Sequence, residues 1–188
     1  SLTVTPATAT VTADSASKQY GTADPTFTAK VSGMVNGEPE SLISYTVTRP
    51  GEKNDTTVGT YRGAIVAAGD ATQGNYTVKY VPADFVITTN TKDLGLTAVS
   101  NSGVYNGTAY TLKNVAATGT AKDGATIEYK VGDGDWSTTA PSATAVADSK
   151  TGISVRVSKT GYATVTINDL SLTVTPATAT VTADSASK

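Results

Sequence analysis

Alternation is the feature that most constrains how this chain can fold. Short runs place apolar or small side chains at every second position, which puts one face of an extended strand in a core and the other in water. Residues 8–13 alternate small and polar side chains. Phe27, Ala29 and Val31 share one face of the run 26–31, and Ile43, Tyr45 and Val47 share one face of 43–48. Runs at 76–80 and 85–88 follow, then 127–131 and 153–157, the cleanest cases, and finally 162–167 and 172–175. Between them stand Asn36-Gly37, Asp123-Gly124, Gly132-Asp133-Gly134-Asp135 and Lys159-Thr160-Gly161, residues that favour positive φ or tight reversal. Short strands separated by such turns predict β-sandwiches rather than parallel sheets covered by helices. No window shows helical periodicity, and Thr, about one residue in five, favours strands.

What the chain lacks narrows its chemistry. It has no Cys, which excludes disulfides, thioester crosslinks and thiolate metal sites, and no His, the commonest general base and metal ligand. Fourteen basic residues stand against sixteen acidic ones, a net charge of −2 without basic clusters. That predicts no nucleic-acid partner and no binding to an anionic membrane surface. No apolar run approaches the length of a membrane span, so no membrane insertion is expected of this segment.

Residues 1–18, SLTVTPATATVTADSASK, are repeated letter for letter at 171–188, an offset of 170. This indicates either a tandem array with that period or an engineered chain; the array is the reading adopted. The segment then holds one full period and the start of the next. A fainter repeat lies inside the period. Tyr20-Gly21 corresponds to Tyr105-Asn106-Gly107, Gly74-Asn75-Tyr76-Thr77-Val78 to Gly161-Tyr162-Ala163-Thr164-Val165, and Gly59-Thr60-Tyr61 to Gly152-Ile153-Ser154. Two diverged domains of one design are expected, each near the smaller sizes that sustain one core.

The first half resembles the MBG domain of the YGX type, a module found in arrays in large bacterial surface proteins and adhesins. The resemblance rests on Leu2-Thr3-Val4-Thr5-Pro6-Ala7, Val11-Thr12-Ala13-Asp14, Lys18-Gln19-Tyr20-Gly21, Asp24-Pro25, Gly33-Met34-Val35-Asn36-Gly37, Val58-Gly59-Thr60-Tyr61 and Asn75-Tyr76-Thr77. The second half resembles Ig-like repeats of Gram-positive surface proteins through Val104-Tyr105-Asn106-Gly107-Thr108-Ala109, 123–129, Asp133-Gly134-Asp135-Trp136 and 155–162. It departs from them at 148–153. The resemblance implies extracellular, non-catalytic modules on a bacterial cell surface or cell wall, and brings no catalytic residue. It also implies that residues 2–6 are the last strand of a preceding repeat.

The expected fold class is all-β, two tandem Ig-like β-sandwich domains. Residues 1–6 would be an orphan last strand, 7–90 an MBG-like sandwich, 91–176 an Ig-like sandwich, and 177–188 the first strand of the next repeat. A linker at 90–93 is too short for free tumbling, so a semi-rigid rod is expected. The expected function is a structural spacer or stalk whose partners are neighbouring repeats. The alternative is an adhesin module that binds a host glycan or protein directly. No enzyme activity and no cofactor are expected.

Candidate sites are few. Asp133 and Asp135 around Gly134 offer oxygens to Ca²⁺, but hairpin-turn chemistry accounts for them more simply. Trp136, with Tyr129, offers a stacking platform for sugar, against the alternative of packing over the sheet. Tyr20, Tyr61, Tyr76, Tyr105 and Tyr162 read as core rings with hydroxyls satisfied by backbone. Lys18, Lys30, Lys79, Lys130 and Lys150 cannot be ranked as crosslink donors, and a crosslink is not expected. Glu38 and Glu40 read as solvated residues rather than an acid–base pair. Asn54-Asp55-Thr56, Asn75-Tyr76-Thr77 and Asn106-Gly107-Thr108 are sequons in form only.

Overall fold

The structure, a computed structural model, describes residues 1–51 and 57–184, so the Asn54 sequon and the last four residues of the 177–188 segment lie outside it. Strands hold 50% of the chain and helix 3%, which makes the fold all-β with several sheets and no helical layer. The chain divides into two compact units, Ser1–Asn90 and Thr91–Lys188.

The first unit contains β1 (Ala7–Ala13), β2 (Ala16–Gln19), β3 (Ala29–Ser32), β4 (Thr46–Thr48), β5 (Gly59–Ala68), β6 (Thr72–Gln73), β7 (Tyr76–Val81) and β8 (Ala83–Thr88). They form two four-stranded sheets, ordered β3-β1-β7-β6 and β2-β8-β5-β4. The first strand pair and the last run side by side: β1 lies parallel to β7, and β2 lies parallel to β8. Ala9, Val11, Val31, Tyr76 and Val78 of one sheet share a core with Ile43 and with Ala67 of the other. Ala13, Ile65, Phe85 and Ile87 form a second cluster, where Phe27 meets Phe85 edge-on at 5.8 Å.

The second unit contains β9 (Gly95–Val99), β10 (Asn101–Val104), β11 (Tyr110–Thr111), β12 (Lys113–Thr118), β13 (Thr126–Val131), β14 (Ser142–Ala143), β15 (Lys150–Ser158) and β16 (Val165–Thr175). Its main sheet is ordered β10-β16-β15-β13, and two strand pairs, β9 with β12 and β11 with β14, complete it. Ile153, Val155, Leu170, Leu172 and Val174 form the core with Leu112 and Ala143.

Three details show one design in both units. The backbone N–H of Tyr20 donates to the Thr88 carbonyl at 2.8 Å, and that of Tyr105 to the Thr175 carbonyl at 2.8 Å. Gly33 and Gly119, each following the strand antiparallel to the first, have φ of 86° and 87°. A Cβ there would lie 2.4 Å from the Thr8 carbonyl oxygen and 2.3 Å from that of Asp93, so only glycine lets the chain pass. Gly63 and Gly152, with φ of 61° and 62°, sit where the pairing with the closing strand slips register.

This last pair corrects the expected match of Gly59 with Gly152. Gly59 pairs with Ile87, whereas Ile153 pairs with Leu170, well before Val174, the counterpart of Ile87. The bulge shifts the count, so Gly63 is the true counterpart. Three expected strands are also shorter than read. The 3₁₀ turn Glu40–Leu42 delays β4 to Thr46, while β3 starts at Ala29 and β16 at Val165. In β13 the exposure no longer alternates cleanly, because its outer face is covered by side chains described below.

The repeated eighteen residues occur in two states. Residues 1–6 are exposed and form no strand, with Leu2 96% and Val4 88% exposed; their copies Leu172 and Val174 are 0% and 2% exposed in β16. Conversely Val11 is fully buried in β1, while its copy Val181 is 94% exposed outside any strand.

Because a side chain at Gly119 must displace backbone, Gly119→Ala should destabilise the second unit by about 1–3 kcal/mol. Urea unfolding followed by the fluorescence of Trp136, the one Trp of the chain, measures it. An unchanged midpoint would contradict the close approach described.

Candidate functional site

Trp136 follows the hairpin that links β13 to the 137–140 segment; Tyr129 and Ser137 exchange backbone hydrogen bonds of 2.9 and 2.7 Å across it. The ring is half-buried on the outer face of the β13–β15 pair. The Arg156 guanidinium lies 4.3 Å from its centroid and the Lys130 ammonium 5.7 Å. Arg156 Nε also donates to Glu128 Oε2 at 2.8 Å, directly across the strand pair. Cation–π attraction and a charge-assisted hydrogen bond thus fasten this face together. Tyr129 belongs to the opposite face, packed on the inner core. The expected Trp136–Tyr129 platform is therefore not assembled: the strand's parity sends the two rings to opposite sides.

Asp133 and Asp135 are exposed in the turn, where the Gly134 N–H donates to the Val131 carbonyl at 3.1 Å. Among the described residues no group of three or more acidic side chains converges as a metal site would require.

The tyrosines divide by environment. Tyr76 is 2% exposed; its hydroxyl donates to Glu38 and accepts from the Val35 N–H at 3.0 Å. The bond to Glu38 raises the phenol's pKa above its ordinary value, partly offset by the Val35 N–H. It also occupies Glu38, while Glu40 is exposed in the 3₁₀ turn. Tyr61 donates to the Thr57 carbonyl at 2.8 Å, and Tyr20, Tyr61 and Tyr162 pack against cores. Tyr105 departs from expectation: it is 48% exposed, because the chain leaves the core directly after β10. The anchoring ring is instead Tyr110, unremarked in the sequence. Its hydroxyl donates to the Val104 carbonyl at 2.8 Å, and its ring fills the space where a Cβ on Gly103 would stand.

The lysines also separate. Lys30 and Lys79 are exposed, Lys130 serves Trp136, and Lys150 donates to the Ser142 and Asp148 carbonyls at 2.7 and 3.0 Å. Lys18 differs. It lies 2.9 Å from Asp24 Oδ1, with its side chain only 9% exposed, and Arg49 holds Asp24 Oδ2 at 2.9 Å while stacking 4.3 Å above Phe85. Burial alone would raise the Asp24 pKa, but hydrogen bonds and charge from Lys18 and Arg49 outweigh it and hold the carboxyl below its ordinary value. This three-residue ion cluster joins the β2 end of the first unit to the segment after β4.

Two shallow depressions complete the surface features. One, of about 380 Å³, is lined by Ser44, Tyr45, Asp70 and Gln73, whose polar groups largely satisfy each other: Ser44 N–H donates to Gln73 Oε1 at 2.7 Å, and Gln73 Nε2 donates to the Ser44 carbonyl at 2.9 Å. The other, of about 420 Å³, lies between residues 4–7 and the Val35–Glu38 turn.

With this geometry in place, comparison with known families becomes informative. Residues 9–86 match the family model described as MBG domain (YGX type). The match runs from β1 into β8, inside the first unit, and bears out the resemblance read from that half. No curated protein matches the chain.

Replacing Asp24 by Asn should cost the first unit about 3 kcal/mol, since it removes the carboxylate from two buried cations. The pH dependence follows from the lowered pKa. The stabilisation is complete above the ordinary aspartate value of 3.8 and is lost as pH falls below it through the folded-state pKa. Acid unfolding monitored by circular dichroism should show this loss in the parent and not in Asp24→Asn.

Proposed function

We propose that the chain is one period of a structural spacer, or stalk, in a large extracellular bacterial surface protein, built from an MBG-like unit followed by an Ig-like β-sandwich. One observation carries this reading. The strand Leu172-Thr173-Val174-Thr175 closes the second unit, and the same residues stand immediately before β1 of the first. One unit's closing strand therefore leads straight into the next unit, as a tandem array requires. The MBG domain match fits the reading, since that module occurs in large surface proteins. The working partners are neighbouring repeats of the same chain, and the place of action is the bacterial cell surface or cell wall.

The role is mechanical rather than catalytic. A sequence without Cys or His leaves acid–base work to carboxylates. Glu38 is tied to Tyr76, and Asp24 is enclosed by two cations. The alternative, direct binding of a host glycan or protein, is favoured by Trp136 with its two flanking cations, an aromatic face that remains half open.

Chains carrying one, two and three 170-residue periods separate the readings when studied by small-angle scattering. The spacer predicts a maximum dimension that rises in equal steps with copy number. On a glycan array the spacer predicts no signal. Binding abolished by Trp136→Ala would transfer the function to the adhesin reading.

A further inference from the structure

Three segments share one pattern. Phe85 and Ile87 close the first unit, 0% and 1% exposed; Leu172 and Val174 close the second, 0% and 2% exposed; Leu2 and Val4 carry the same alternation and lie open at 96% and 88%. In both closed cases the strand runs parallel to the unit's second strand in the same register, with Lys18 opposite Ile87 and Gly103 opposite Val174.

The place that 171–175 occupies makes defined demands. Ser171 N–H donates to Ser100 Oγ at 2.9 Å and Val174 N–H to Ser149 Oγ at 3.0 Å. The Thr175 carbonyl accepts from Tyr105 N–H at 2.8 Å, and Thr175 Oγ1 reaches the Gly103 carbonyl at 3.4 Å. Since residues 1–18 and 171–188 are identical, residues 1–5 carry every one of these groups and both buried side chains. An exposed strand with a finished apolar face is a template for edge pairing.

We propose that residues 1–5 are a donor strand that completes the second unit of another copy of this chain, linking copies head to tail. The resident strand 171–175 competes with it from within the same molecule at high effective concentration. Exchange therefore becomes visible when the resident strand is weakened. The proposal goes beyond the spacer reading and stands without it: it concerns what this strand binds, not what the assembled protein is for.

The test uses the full chain carrying Leu172→Asp and Val174→Asp. Size-exclusion chromatography with light scattering should show a concentration-dependent series of oligomers. Adding Leu2→Asp and Val4→Asp should return the chain to monomer. Because Ser102 pairs with Thr173, the copy of Thr3, Thr3→Cys with Ser102→Cys in the weakened chain should give a disulfide-linked ladder on a non-reducing gel. A peptide with the sequence of residues 1–8, added to the fourfold variant, should restore the Trp136-detected unfolding transition, whereas the same peptide bearing both Asp substitutions should not. A weakened chain that stays monomeric without rescue by peptide overturns the proposal, as do oligomers that persist in the fourfold variant.

Discussion

Each unit depends on one pairing: its closing strand laid parallel beside its second strand. The pairing joins residues about seventy positions apart, Lys18 to Ile87 and Gly103 to Val174, and so ties the start of a unit to its end. It also delivers the two most enclosed side chains, Phe85 and Ile87 or Leu172 and Val174. At roughly 1.5–3 kcal/mol for each buried large apolar side chain, one such pair is comparable to much of the net stability of a small domain, about 5–15 kcal/mol. Loss of the closing strand is therefore loss of the unit. The antiparallel hairpins around it are local and cannot by themselves bury a core.

With no disulfide available, secondary anchors are polar and placed at the ends of strands. In the first unit the Lys18–Asp24–Arg49 cluster fixes the chain just beyond β2 against β4, and Arg49 extends that contact over Phe85 of the closing strand. In the second unit the comparable position is neutral. Gly103 makes room for the Tyr110 ring, whose hydroxyl returns to the Val104 carbonyl. The two units thus share backbone architecture while using different chemistry at the same corner. Acid sensitivity belongs to the first solution and not to the second.

Much of this was legible in the sequence, and what was not has physical causes. Period-two alternation located the core faces of β1, β7, β8, β13 and β15, and Asn36-Gly37 and Gly161 marked turns that do take positive φ. The fainter half-period was visible at Tyr20 and Tyr105, whose backbones make the same hydrogen bond, although their rings end in different environments. Gly63 and Gly152 were mismatched because a bulge alters residue count without leaving a mark in composition. Gly33 and Gly119 looked like any turn glycine, since a close backbone approach is a tertiary fact. The ion cluster was hidden for the same reason: Asp24 stands in a loop, and only folding brings Arg49 to it. Tyr129 and Trp136 appeared neighbours in sequence, but strand parity set them on opposite faces.

The repeated eighteen residues supply an internal control on what makes a strand here. Ala7–Ala13 forms β1, with Ala9 and Val11 fully buried between β3 and β7. The same seven residues at 177–183 form no strand among the described residues, and Val181 is exposed. Leu2 and Val4 differ from Leu172 and Val174 in the same way, with the order reversed. Identical local propensity gives opposite outcomes, so propensity does not decide; the presence of a partner edge does. A unit of this kind has no self-sufficient first or last strand. Its boundaries are set by pairing across the unit, not by where its sequence pattern starts and stops, and the stretch from a closing strand through the next β1 and β2 acts as a joint that serves two units at once.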